Sequence, residues 1–320
     1  MGWHPASRTV SFLGRPTHVV DVGEGPAVLL LHGFLHSSYT WREACTALAR
    51  EHRVIAPCLP GFGWSGRELG DGSFATYASW LSALLDRLGA PRLGLAVGNS
   101  LGGGVLLELA LAQPARFGEL LLVSPLAAPL RVPALPFRVL GHRAFRPLFR
   151  WTAGNRAFVR HALRLRAYRA RPVDDELLRG FEPLGRPGSH AAACAVASAV
   201  AGATARLAGR LGGLAVPAHV LWGGRDGVLP LGFGRRVAAL LPRATFEVWE
   251  GSGHCPHEEE PGRFQGLVTE RLSRCAPGGY VASRGDAPAE SGSGSNAQGR
   301  AQPAGVVSSG RGERGPKAQK

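Results

Sequence analysis

Val97-Gly98-Asn99-Ser100-Leu101-Gly102-Gly103-Gly104 stands between an apolar run, Arg92 to Val97 (RLGLAV), and a helix-forming run, Val105 to Leu111 (VLLELAL). The first run reads as a short buried strand, the second as a helix whose apolar residues need cover on nearly every side. A strand that turns abruptly into a helix forces its turn residue into a strained backbone conformation, so small neighbours are required at Gly98 and Gly102. The G-x-S-x-G spacing therefore predicts that the hydroxyl of Ser100 is lifted above the sheet edge, with the backbone N–H of Leu101 facing the place where an oxyanion would form. A glycine-rich turn with a helix-capping serine would use the same residues, so the rest of the chain has to decide.

The chain has 320 residues, 45% of them hydrophobic, enough for a full core, as one large α/β domain carrying an insert or as two domains. No apolar run reaches the length of a membrane span. Met1-Gly2-Trp3-His4-Pro5 lacks the apolar core of a secretory signal. Five scattered cysteines fit reduced thiols better than a disulfide framework or metal cluster. The expected location is therefore cytoplasmic. The formal charge of +14 is concentrated: residues 131–210 hold fifteen arginines and four acidic residues. No nucleic-acid-binding pattern accompanies it, so nucleic acid is not an expected partner. The basic segment allows peripheral contact with an anionic surface, although an arginine-only body also reflects composition.

Working outward, Arg8 to Leu13 and Thr17 to Val22 read as a strand pair joined through Gly14-Arg15-Pro16. Ala27 to Leu31 is a continuous apolar strand leading into His32-Gly33-Phe34-Leu35. A loop placed there supplies a second oxyanion N–H, assigned to Phe34, while His32 is expected to order the loop rather than act in chemistry. Arg53 to Ala56 is followed by a tight turn, Pro60-Gly61-Phe62-Gly63-Trp64-Ser65, and Ser73 to Leu88 is an amphipathic helix. Strands alternating with helices imply a mainly parallel sheet whose ligands meet the carboxyl ends of the strands.

From Leu126 to Leu214 the alternation stops, and arginine-studded helices are expected at 137–149, 155–169, 174–181 and 190–211. These form a helical cap, bounded at 131–214, between core segments 1–130 and 215–276. Phe137, Leu140, Phe145, Leu148, Phe149, Trp151 and Phe158 could line an apolar pocket under it. The sheet resumes at Val216 to Trp222, ending in Gly223-Gly224-Arg225-Asp226. Thr245 to Trp249 follows, ending in Glu250-Gly251-Ser252-Gly253-His254. Residues 277–320 are too poor in apolar groups to fold and are expected to be disordered.

Asp226 and His254 thus follow successive strands at the end where Ser100 stands. A serine hydroxyl becomes nucleophilic when a base takes its proton; His254 is that base, and Asp226 fixes its tautomer. His257 is a reserve candidate. Neither a metal site nor a cofactor site is expected, since ligand clusters and G-x-G-x-x-G spacing are both missing.

These residues resemble the α/β-hydrolase superfamily over about residues 10–275, in its capped branch with a serine nucleophile. His32-Gly33-Phe34 is similar to its oxyanion loop, Pro60 to Ser65 to its P-G-x-G-x-S turn, Gly98 to Gly103 to its elbow, Gly224-Arg225-Asp226 to its acid loop and Gly253-His254 to its histidine loop. The resemblance implies a mostly parallel eight-stranded sheet flanked by helices, with catalytic Ser100, Asp226 and His254 and an oxyanion hole at Phe34 and Leu101. It departs at Cys58, where the family commonly has a structural aspartate. Serine at position 100 disfavours the haloalkane dehalogenase and epoxide hydrolase activities, which use aspartate there. The elbow resembles that of meta-cleavage-product hydrolases. Gly253-His254-Cys255-Pro256-His257 with its acidic run resembles pheophytin and chlorophyll dephytylating hydrolases. The implied activity is hydrolysis of a carboxylic ester or related acyl bond in a small to medium apolar substrate. C–C bond hydrolysis or acyl transfer on the same triad is the alternative, and a non-catalytic binding protein with a basic cap is a third reading.

Overall fold

The computed structural model describes residues 2–68, 70–129 and 142–275. Eight strands form one sheet in the order β1-β2-β4-β3-β5-β6-β7-β8. They are β1 (Ser7–Phe12), β2 (Arg15–Val22), β3 (Ala27–Leu31), β4 (Arg53–Pro57), β5 (Leu93–Asn99), β6 (Phe117–Val123), β7 (Ala218–Gly223) and β8 (Ala244–Trp249). β2 runs antiparallel to both its neighbours, and every pairing from β4 to β8 is parallel. This is the mostly parallel eight-stranded sheet that the sequence implied.

The first hairpin is tighter than expected. Arg15 already pairs with Phe12, so the turn is Leu13-Gly14 alone, both at positive φ (52° and 71°), the geometry a two-residue hairpin turn demands.

Both faces of the sheet are buried, which is why β3 reads AVLLL rather than alternating. Leu29 and Leu31 join a core with α2 (Phe74–Arg87) and α3 (Leu101–Ala112). Val28 and Leu30 join another with α1 (Arg42–Leu48) and the last helix, Pro261–Cys275. Helix α2 starts where Ser73 accepts a hydrogen bond from the Thr76 N–H at 3.2 Å, a side-chain cap. Helix α3 is buried on nearly every side, as its apolar sequence, broken only by Glu108, requires.

Between β6 and β7 the described residues form the helices α4 (Arg146–Gly154), α5 (Arg156–Arg166), α6 (Asp175–Leu178) and α7 (Ser189–Ala208). Asn155 ends α4 and caps α5, its side chain accepting from the Phe158 N–H at 3.0 Å, so the break expected near 149–155 falls later than the arginine pattern suggested. Residues 137–141, with Phe137 and Leu140, and the 277–320 tail lie outside the described residues. Beyond β7, α8 (Leu231–Ala239) leads to β8, then α9 (Pro256–Glu259) and α10 (Pro261–Cys275). Among the described residues no single helix is long and apolar enough to cross a membrane.

Candidate functional site

The sheet's carboxyl edge gathers the backbone strain. Leu35, Ser100 and Ser124 all have positive φ, at 60°, 50° and 44°, each just beyond a central strand. Such conformations cost about 1–3 kcal/mol each and persist only when neighbours over-determine them. At Ser100 (ψ −113°) the neighbours do so: its N–H donates to the Val123 carbonyl at 2.9 Å, and its own carbonyl accepts from Gly104 and Leu126 at 3.1 and 2.9 Å. A side chain at Gly98 would lie 2.8 Å from Gly103 N and Leu106 Cδ1; one at Gly102 would press on the Leu31 and His32 carbonyl oxygens, 2.6 Å from the latter. The two glycines are the condition for folding helix α3 back against β5 and β3.

The loop after β3 reaches the serine through a third glycine. A side chain at Gly33 would come 2.6 Å from Asn99 Oδ1 and 3.2 Å from Ser100 Cβ, so Phe34 starts directly beside the elbow while Leu101 opens α3 on its other side. His32 Nε2 accepts the Leu59 N–H at 2.9 Å, so the proton sits on Nδ1, which donates to the Gly33 carbonyl at 2.8 Å. Complete burial depresses its pKa to about 3. This is the loop-ordering histidine the sequence reading expected.

Asp226 and His254 meet. His254 Nδ1 lies 2.7 Å from Asp226 Oδ2, and Asp226 Oδ1 accepts the N–H groups of Val228 and Leu229, both at 2.8 Å. A carboxylate only accepts, so the imidazole proton is on Nδ1 and Nε2 is left as the basic nitrogen. Ser100 is buried at the same sheet edge, 7% exposed. Among the described residues no hydrogen bond joins Ser100 Oγ to His254 Nε2. The link between the two runs instead through Asn99, whose amide Nδ2 donates to the carbonyls of Val123 (3.2 Å) and His254 (3.3 Å).

His257 is committed elsewhere. Its Nε2 is 2.7 Å from Thr40 Oγ1, its ring stacks on Trp41 at 4.3 Å, and burial lowers its pKa to about 3, so it does not serve as the reserve base. Cys58 Sγ sits 3.3 Å from Ser38 Oγ and 3.4 Å from His18 Nδ1, a buried thiol whose pKa burial raises. It packs among polar groups without ion pairing.

In the sequence the acidic run after the histidine carries only a resemblance; the structure gives each glutamate its partners. Glu258, buried, accepts from Arg42 Nη1 and Tyr168 Oη at 2.6 Å each and lies 3.2 Å from His36 Nε2. Burial alone would raise its pKa; His36 and Arg42 outweigh that and hold its carboxyl well below the usual range. Glu259 Oε1 accepts the N–H groups of Gly253 (2.8 Å) and Cys255 (3.3 Å), on either side of His254. Its Oε2 accepts those of Arg169 (2.6 Å) and Ala170 (2.7 Å) from the helical insert. Glu260 accepts from the Ser252 hydroxyl. The insert also supplies the Ala167 carbonyl, which accepts the His254 N–H at 2.6 Å. Ser252, Gly253 and Cys255 are near in sequence, but His36, Arg42 and the insert's Ala167, Tyr168, Arg169 and Ala170 are not, and only the density of acids after a glycine-histidine pair points to them.

An apolar cleft of about 300 Å³ opens beside the loop, bounded by Phe34, Leu35, Phe145, Leu148, Phe149 and Ala193. Phe145, Leu148 and Phe149 thus line a pocket as anticipated. Trp151 and Phe158 are not among its lining residues and stand 61% and 46% exposed.

A doubly wound sheet with a strained serine after one central strand and a buried Asp–His pair after two others defines a hydrolase of the α/β class. Comparison with known proteins agrees: residues 26–261 match the family model described as alpha/beta hydrolase fold, and the chain belongs to that family. It is 31% identical over 271 residues to an uncharacterized protein of Mycobacterium tuberculosis, covering 81% of this chain and 78% of that one. It is 28% identical to the 2-hydroxymuconate semialdehyde hydrolase of Pseudomonas sp. (strain CF600), covering 83% and 93%. The solved meta-cleavage product hydrolase of Pseudomonas fluorescens IP01 superposes with a TM-score of 0.70 at 26% identity, covering 83% of this chain and 97% of that one.

Proposed function

We propose that this enzyme is a serine hydrolase that cleaves a carboxylic ester or related acyl bond of an apolar substrate through an acyl-enzyme on Ser100. The observation that carries the reading is the His254–Asp226 contact of 2.7 Å with Asp226 pinned by two further N–H groups, set at the sheet edge where Ser100 is held at φ 50°.

In this mechanism Ser100 Oγ attacks the substrate carbonyl as its proton passes to His254 Nε2. Asp226 stabilises the resulting imidazolium, and the N–H groups of Phe34 and Leu101 hold the oxyanion. Imidazolium then protonates the leaving group, and His254 activates water to release the acyl group. The apolar cleft beside Phe34 receives the acyl or alcohol chain. C–C bond hydrolysis on the same residues is the second reading, favoured by the 28% identity to 2-hydroxymuconate semialdehyde hydrolase.

The test is p-nitrophenol release from acyl esters of increasing chain length, with loss of a ring-fission dienoate followed in parallel and Ser100→Ala run beside the wild type. Serine-dependent ester turnover supports the first reading, and serine-dependent dienoate cleavage without ester turnover supports the second. Turnover or fluorophosphonate labelling that survives in Ser100→Ala overturns both.

A further inference from the structure

The charge of this chain is not spent at the site. Between His142 and Val173 the sequence has nine arginines and no aspartate or glutamate. The same stretch carries most of the exposed large hydrophobic side chains: Leu148 (56%), Trp151 (61%), Phe158 (46%) and Leu165 (53%). Burying such groups is the ordinary outcome in a folded domain, and an apolar patch left in water marks an interaction surface. The patch is continuous. Leu148 and Trp151 are one turn apart on α4, Phe158 and Leu165 two turns apart on α5, and the Trp151 and Phe158 rings lie 6.1 Å apart across the junction.

The arginines on these helices divide into two sets. Arg156 and Arg160 are held by Asp175 and, for Arg156, Glu182. Arg146, Arg150, Arg164 and Arg166 are exposed and, among the described residues, enter no ion pair. Arg146 and Arg150 line an open cleft of about 530 Å³ that shares Phe149 with the apolar cleft beside Phe34. Two short helices with an aromatic-aliphatic stripe, four arginines outside any ion pair and no acid in their own sequence have the chemistry of an interfacial segment: guanidinium groups at anionic headgroups, tryptophan and phenylalanine at the acyl boundary.

We propose that the face formed by α4 and α5 seats on an anionic lipid bilayer, peripherally, with Trp151 and Phe158 entering the headgroup boundary. An acidic protein would satisfy the arginines and leave the apolar stripe without a partner. The surface is independent of the catalytic assignment, although it places the mouth of the apolar cleft against the lipid.

The experiment is flotation of the full chain with vesicles of phosphatidylcholine alone or with 30% phosphatidylglycerol, at low and at 0.5 M salt. Binding to the anionic vesicles, weakened by salt and at least tenfold weaker on phosphatidylcholine alone, is expected. Arg150→Glu/Arg164→Glu should weaken it by roughly thirtyfold or more, and Trp151→Ala/Phe158→Ala should lower it at unchanged salt dependence. Leu13→Asn, at an equally exposed leucine on the β1–β2 turn, should leave binding unchanged. Failure to bind anionic vesicles at low salt, indifference to the insert substitutions in proteins with wild-type circular dichroism, or equal affinity for soluble polyglutamate each overturns the proposal.

Discussion

Replacing Glu259 with alanine removes the acceptor for four backbone N–H groups. Those of Gly253 and Cys255 are buried, and those of Arg169 and Ala170 are partly exposed and can turn to water. A buried donor left without a partner costs about 1–3 kcal/mol, so the two buried ones together cost about 2–6 kcal/mol, before any loosening of the insert. A chain of this size loses roughly 2–4 °C of Tm per kcal/mol, which sets the expected fall at about 10 °C. The catalytic effect follows from where the freed groups lie. Gly253 and Cys255 flank His254, and a misplacement of about 1 Å in an aligned site is worth roughly a hundredfold in rate. A fall in kcat with KM changed much less is therefore expected in ester turnover assayed well below the new Tm. Glu259→Gln should not rescue it. A carboxamide offers one oxygen to one pair of N–H groups and turns its own N–H₂ toward the other pair. A variant with wild-type Tm and kcat, or full rescue by glutamine, would refute the reasoning and reduce Glu259 to a space-filling residue.

Asp226→Asn should lower kcat by roughly 10⁴-fold at nearly unchanged Tm, because an amide stabilises the imidazolium poorly and no longer imposes the Nδ1–H tautomer; pre-steady-state acylation measures it. Gly102→Ala should cost about 1–3 kcal/mol by pushing the elbow off the Leu31 and His32 carbonyls, read as a shifted denaturation midpoint. Arg42→Ala should be more severe, about 3–5 kcal/mol, since it strands the buried Glu258 carboxylate. Acid should unfold the protein through its buried histidines. His18, His32 and His257 have folded pKa values near 4, 3 and 3 against an ordinary 6.5, so the unfolded chain takes up protons first. Stability is full above about pH 6.5 and is lost as the pH falls toward those values, by about 2 kcal/mol per histidine at pH 5. A Tm that is flat from pH 7 to 5 would contradict their neutral burial.

Much of the frame was legible because it is written in local signals. The continuous apolar runs at Ala27–Leu31 and Leu93–Val97 need cover on both faces, and the cores on each side of β3 supply it. Gly98 and Gly102 are needed because a side chain there meets backbone within a few residues or on the adjacent strand. The order of Ser100, Asp226 and His254, each after a strand, places all three at one edge from the sequence alone.

What the sequence alone determined, then, was the class of fold, the sheet edge that carries the site and the residues to look for there. Tertiary structure decided how they are held. That the Asn99 amide reaches the His254 carbonyl, that the Ala167 carbonyl accepts the His254 N–H, and that Glu259 gathers N–H groups from the histidine loop and the insert are backbone-directed bonds between distant segments. They leave no periodicity to read. The same holds for His257, three residues from His254 and equally polar in sequence, which lies between Trp41 and Phe264 with a depressed pKa. Both histidines are buried, and their partners separate them: Asp226 beside one, Thr40 and Trp41 around the other, a property of the folded packing rather than of any one residue.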